Sequence, residues 1–321
     1  MLLERKWWLV LGLAAVGLAG TALAPAGAAD FSSLDIDFLG RDGAIQGLVA
    51  RPGAAANMFW NPPGLAALVS GRGTGFAGYM DYLAGTRGAA AGYAWSVRPG
   101  RGYGVYVAYL SSGSLPLTTW SDPVGDEQSF SYSEAAGGAA WGLRIHRRLL
   151  VGGGLKMARE NLDNVTSSGA FFDVGAVARL AGRAEGATPS GVYLGVVGRS
   201  IALAKWGADE TEAPTGTEIG LAAESAWGQR GGVSVLMGKD GEREVRLGMA
   251  ASLSSEFEIR LGWRRRVGTG SDEAYGFAWQ RGLVAGFGVS LGRFWVDYTY
   301  EDASPLDAIH RFALRADIRP Q

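Results

Sequence analysis

From about residue 67 to the C-terminus, apolar and polar residues alternate one by one in segments of roughly ten, punctuated by Gly, Pro, Asn, Asp and Ser. A period of two belongs to strands, because successive side chains leave a strand on opposite faces. The segments fall at roughly 67–83, 86–98, 102–111, 129–143, 149–160, 168–181, 191–205, 216–227, 230–239, 243–253, 256–265, 282–292, 294–301 and 309–318. Their number, about fourteen, is even.

The faces differ in chemistry. Val245, Leu247, Met249, Ala251 and Leu253 share one face, and Glu244, Arg246, Gly248 and Ser252 the other. Phe257, Ile259, Leu261 and Trp263 stand against Glu258, Arg260, Gly262 and Arg264. Phe294, Val296, Tyr298 and Tyr300 alternate with Trp295, Asp297, Thr299 and Glu301, and Phe312 and Leu314 with Arg311 and Arg315. A soluble sandwich alternates too, so loop lengths must discriminate. Connections after even strands are mostly brief (Pro99 to Arg101, Arg144 to Arg148, Gly228-Gln229, Ser254-Ser255, Gly292-Arg293), whereas several after odd strands are long (Ser112 to Gln128, Trp206 to Thr215, Val267 to Arg281). Ala181 to Ser190 and Gly85 are exceptions. Short turns on one side and long loops on the other characterise a transmembrane antiparallel β-barrel. Tyr103, Trp141, Trp227, Trp263 and Tyr300 lie near strand ends, where interfacial girdles place aromatics. The expected fold is all-β: a barrel of about fourteen strands over residues 67–321. Its charged face (Glu244, Arg246, Glu258, Arg260, Arg264, Asp297, Arg311 and Arg315) lines the lumen, and mixed signs there are expected to pair across strands. Glycines at Gly152, Gly154, Gly175, Gly195 and Gly220 share that inner face, where small residues are expected to relieve crowding in a curved sheet.

Before the barrel come two other segments. Arg5 and Lys6 precede an apolar run from Leu9 to Ala24, and Ala26-Gly27-Ala28 supplies a small-residue cleavage site, so residues 1–28 read as a secretory signal peptide. No later stretch approaches the ~18 apolar residues of a membrane helix. Residues 29–66 lack alternation and contain Pro52, Pro62 and Pro63, which suit a central strand poorly. A barrel of this size is wide enough to need filling, so this segment is the candidate plug, centred on Phe59, Trp60, Asn61, Pro62, Gly64 and Leu65. Asn61 beside two prolines is expected to form a side-chain turn that fastens plug to wall.

Phe38-Leu39-Gly40, Gly47, Asn57 and Trp60-Asn61-Pro62-Pro63-Gly64-Leu65-Ala66 resemble the N-terminal signature of PorV/PorQ-type outer-membrane proteins, a branch of the FadL-like barrels. Phe287-Gly288, Val296-Asp297-Tyr298 and His310-Arg311-Phe312 are similar to the closing strands of that family, and Asp173 with Gly175 to an Asp-x-Gly in its middle. Pro63 departs from the family's alanine, and the chain has no cysteine for lipidation. The resemblance implies a fourteen-strand barrel in the bacterial outer membrane, in contact with its lipid. It further implies a non-enzymatic role in protein secretion, binding exported cargo or a component of the secretion machine. The alternative it leaves open is a FadL-like channel for hydrophobic small molecules.

Composition excludes several other classes. Thirty basic residues against 31 acidic ones lack the positive excess of a nucleic-acid partner, and Cys 0 with His 2 leaves little for a metal centre or cofactor. Gly73 to Gly78 matches G-x-G-x-x-G without a following helix, and Gly288 to Gly292 matches G-x-S-x-G before a second strand, so neither a dinucleotide site nor a nucleophilic Ser290 is expected. Asp209, Glu210 and Glu212 read as a solvated acidic loop.

Overall fold

A computed structural model describes residues 31–40, 48–116, 128–183, 190–207, 214–238, 243–267, 282–303 and 308–318. The expected leader and the acidic loop at 209–212 lie outside the described residues.

Fourteen strands form one antiparallel sheet: β1 (Arg72–Asp81), β2 (Arg87–Arg98), β3 (Arg101–Pro116), β4 (Ser129–His146), β5 (Leu149–Leu162), β6 (Val165–Arg183), β7 (Ser190–Gly207), β8 (Gly216–Glu224), β9 (Arg230–Gly238), β10 (Arg243–Ser252), β11 (Phe257–Val267), β12 (Leu283–Leu291), β13 (Phe294–Asp302) and β14 (Ala308–Ile318). β1 to β9 and β10 to β14 each pair with their sequence neighbours, β14 joins β1 (Gly73 opposite Ile318, Asp81 opposite His310), and the two ends of the sheet, β9 and β10, pack side by side to complete a closed barrel. Closure sets the two sheet edges against each other, the arrangement a β-structure needs to sit in hydrocarbon.

Alternation decides which way each side chain points. On β3, Tyr103, Val105, Val107 and Tyr109 face outward and exposed, while Tyr106, Ala108 and Leu110 are buried within. Tyr103 and Tyr109 bracket the two valines about 20 Å apart along the strand. An aromatic cluster at the short-turn end (Tyr93 stacked on Trp95, then Tyr103) and one toward the long-loop end (Tyr298, Phe312, His310) flank the apolar belt. An apolar belt between aromatic girdles is a surface matched to a bilayer.

The described residues before β1 fill the interior. Residues 31–39 lie toward the long-loop end: Phe31 meets Phe171 edge-on at 5.2 Å, and Phe38 packs with Met80, Leu110 and Ile309. Residues 49–67 lie toward the short-turn end. They include a single helical turn, α1 (Asn57–Trp60), and a 3₁₀ stretch over Pro62–Ala67. Pro62 and Pro63 end α1, since proline disfavours a helical residue before it, and then fit the opening of the 3₁₀ turn. The prolines hold this stretch out of the sheet, so β1 begins at Arg72 and not at 67.

Candidate functional site: a filled lumen and a cleft in the wall

The inner wall has two chemically distinct halves. Across β3 to β6 runs a row of glycines in register, Gly102 opposite Gly142, Gly142 opposite Gly152, and Gly152 opposite Gly175. The backbone of the interior segment lies directly on Gly102, Gly142 and Gly152 of this row. A Cβ at Gly102 would stand 1.9 Å from the Leu65 carbonyl oxygen, and one at Gly142 would stand 2.6 Å from the Ala66 nitrogen. Gly195 receives the Val49 backbone in the same way, and Gly220 receives the Val49 side chain. Sheet curvature is therefore an incomplete account of the inner glycines: at these positions they admit another stretch of backbone where a methyl group would clash. Met58, Phe59, Trp60 and Leu65 are buried against this half, with Phe59 4.2 Å from the Tyr106 ring centroid and 5.6 Å from that of Phe76. Each such side chain removed from water contributes about 1.5–3 kcal/mol.

Three buried charges of the wall grip the segment. Glu134, on β4, accepts from the Ser33 backbone nitrogen at 3.0 Å and from the Ser33 hydroxyl. Lys156, on β5, donates to the Phe59 carbonyl at 3.2 Å and pairs with Asp173 at 2.6 Å. Arg199, on β7, pairs with Asp35 at 2.9 Å and lies 4.8 Å over the Trp60 ring. A bulge in the β6–β7 ladder, where Asp173 faces Arg199 and Ser200, positions the last two. Ser200 adopts φ +50, and its N–H donates to Asp173 at 2.8 Å, which offsets part of the cost of that backbone.

The other half carries the lumen charges expected from sequence. Glu218 accepts from Arg199 at 3.2 Å, Arg246 at 3.4 Å and Ser234 at 2.7 Å, and Arg246 also pairs with Glu244 at 2.6 Å. Arg260 joins Glu258 at 2.8 Å and Asp297, while Arg230 reaches Glu258 from β9. Glu301 holds Arg311 at 2.7 Å and Arg264. Arg315 lies apart, 5.3 Å over Trp295. The groups other than Arg315 sit within pairs and triads, as buried charges must. Glu244, Arg246, Glu258, Arg260, Asp297 and Arg311 are buried, so among the described residues this half of the lumen is packed with side chains.

The sequence motif residues take different places. Phe59, Trp60 and Leu65 are buried anchors, Pro62 and Gly64 lie in the 3₁₀ stretch, and Asn61 is fully buried. The Asn61 amide donates to the Arg51 carbonyl at 3.2 Å, a tie within the interior segment. Sequence reasoning missed Glu134, Lys156 and Arg199 as anchors. Each is a charge at an inward position of a strand face made mostly of small or apolar residues, and that is the signal that marks it. Ser290 lies on β12 and leads through a two-residue turn into β13, with none of the helix that a nucleophile elbow requires. Among the described residues there is no cluster of three metal-ligating side chains.

A cleft of about 700 Å³ opens in the wall around β9, toward the short-turn end. Its lining combines Ala250 and Arg260, whose side chains face inward, with Val192, Met249, Ile259 and Leu261, which face outward. Gly231, in its lining, carries no side chain, and a Cβ there would meet only the Gly248 carbonyl oxygen at 3.5 Å.

No family model matches the chain, and no curated protein matches it. Solved structures do resemble it. The Pseudomonas putida toluene transporter TodX superposes with a TM-score of 0.56 at 10% identity, over 87% of this chain and 96% of that one. A Pseudomonas aeruginosa FadL homologue superposes with a TM-score of 0.57 at 10% identity, over 88% and 98%. At this identity the likeness establishes a shared fold, the FadL-type fourteen-strand barrel. The narrower PorV/PorQ resemblance and its secretion role gain no support from these comparisons.

Proposed function

We propose that the chain is a bacterial outer-membrane channel for hydrophobic small molecules. This reading takes the alternative drawn from sequence in preference to protein secretion. The observation that carries it is the wall cleft. A cavity lined chiefly by apolar groups, touching both inward-facing and outward-facing residues, offers an apolar solute a sideways path between barrel and bilayer. The filled lumen supports the same route, because paired buried charges and a tightly seated interior segment oppose straight passage of water and ions. The likeness to a toluene transporter and a FadL homologue is in keeping with such a substrate class.

With its short turns in the periplasm and long loops outside, the barrel contacts outer-membrane lipid through its apolar belt. The chain's own residues provide passage and selectivity, and no catalytic step is involved. The test is direct binding. N-phenyl-1-naphthylamine should bind the detergent-purified barrel saturably, and Gly231→Phe, which fills the cleft, should weaken binding at least tenfold. Equal binding by both proteins would remove the cleft from the route.

A further inference from the structure

The short-turn end of the barrel holds a second cavity, of about 250 Å³, where the loop carrying Arg51, Pro52 and Gly53 meets the wall. Arg51, Arg144, Arg147, Arg148 and Arg179 line it against one carboxylate, Glu224. We propose that this cavity is a binding site for a phosphate group carried on an apolar stem.

Charge makes the first argument. Five arginines and one acid line the cavity. Arg144, Arg147 and Arg148 project from the end of β4 and the β4–β5 turn, and their side chains form no ion pair or hydrogen bond among the described residues. Elsewhere in the barrel, arginines such as Arg246, Arg260 and Arg311 are matched to carboxylates. An excess of this size favours an anion of more than one charge. A phosphate monoester carries about −1.5 to −2 near neutral pH, and its oxygens match the fork of donors on arginine. A carboxylate supplies one charge and leaves most of the excess standing.

Construction makes the second. Arg179 donates to the Arg147 carbonyl at 3.0 Å and its backbone nitrogen donates to the Arg148 carbonyl at 2.8 Å, so β6 fixes the arginine-bearing turn. On the opposite side, Asn61 donates to the Arg51 carbonyl at 3.2 Å, and the Gly53 nitrogen donates to the Gly64 carbonyl at 2.9 Å. The Asn61 to Gly64 motif thus holds Arg51 over the cavity. The floor is apolar, formed by Leu150, Val177 and the Tyr193 ring, all buried in one cluster with Ala66. An arginine rim over an apolar floor fits an amphiphile's head and the first carbons of its stem.

The shared chemistry belongs to a soluble organic phosphate and to an anionic lipid headgroup, and two arms of one experiment separate them. Hexyl phosphate and inorganic phosphate are titrated into the detergent-purified barrel by calorimetry. In parallel, protein in nanodiscs is measured with and without phosphatidic acid. Hexyl phosphate should bind saturably and at least tenfold more tightly than inorganic phosphate if the ligand is soluble. Binding confined to phosphatidic acid nanodiscs assigns the headgroup. In either arm Arg144→Gln/Arg147→Gln/Arg148→Gln should weaken binding at least tenfold, and Glu224→Gln should strengthen it severalfold. Arg293→Gln, on a different short turn, should leave it unchanged. The triple variant alters exposed residues, and retained heat-modifiable migration on gels confirms that it folds. Binding that is absent from both arms, indifferent to the triple variant, or weakened equally by Arg293→Gln overturns the proposal. The readout does not involve hydrocarbons, so its failure and that of the channel reading are distinguishable.

Discussion

The Lys156 ammonium lies 3.2 Å from the Phe59 carbonyl oxygen, joining the middle of β5 to the helical turn that precedes the first strand. Asp173, 2.6 Å away on β6, balances its charge, so a single buried lysine links two wall strands to the interior segment. Lys156→Met keeps the length of the side chain and strands a buried carboxylate, a change that costs about 3–5 kcal/mol. Residues 57–66 should then exchange amide hydrogens faster than in the parent protein, as read by mass spectrometry. Unchanged exchange would show that the lysine does not hold the segment.

The glycine row makes a second prediction. Gly142→Leu drives a side chain into the backbone of residues 62–66 and should lower the temperature at which the folded gel band is lost by several degrees. Gly75→Ala, whose added methyl group would meet nothing closer than 3.8 Å, should leave it within a degree or two. Equal effects would mean that the row is not a seat for the segment.

How far the sequence anticipates this arrangement depends on what each feature rests upon. Strand number and facing follow from a local period of two, and Glu258 and Arg260, two residues apart, share one buried face. The seat of the interior segment depends on contacts between residues remote in the chain, such as Gly102 with Leu65 and Glu134 with Ser33, and no local pattern encodes these. Asn61 was legible as a turn-former beside proline, yet its partner Arg51 lies ten residues back and is visible only in three dimensions. The wall cleft gathers Gly182, Gly191 and Gly231 from three strands, three glycines among 51 and indistinguishable from the rest by composition.

The packed charges of β11 to β13 form a coupled set. Arg260→Met should destabilise the barrel by about 3–5 kcal/mol, since Asp297 loses its partner while staying buried. In a double-mutant cycle, Arg260→Met/Asp297→Asn should recover about 1–3 kcal/mol of that loss. Strict additivity in denaturant titrations would show that the pair does not interact.

The outward belt is tested at Val107, exposed on β3 between Tyr103 and Tyr109. If lipid covers this face, Val107→Arg costs about 2–4 kcal/mol in bilayer folding assays. The same substitution on a water-facing surface would cost less than about 0.5 kcal/mol.

The most direct test of the channel reading is uptake of radiolabelled toluene by Gram-negative cells that lack a comparable channel and express this chain in the outer membrane. Uptake severalfold above that of vector-only cells, lost in Gly231→Phe at equal barrel abundance and without increased entry of a hydrophilic sugar, is the predicted result. Toluene uptake equal to that of vector-only cells, with the folded barrel present in the outer membrane, would contradict it.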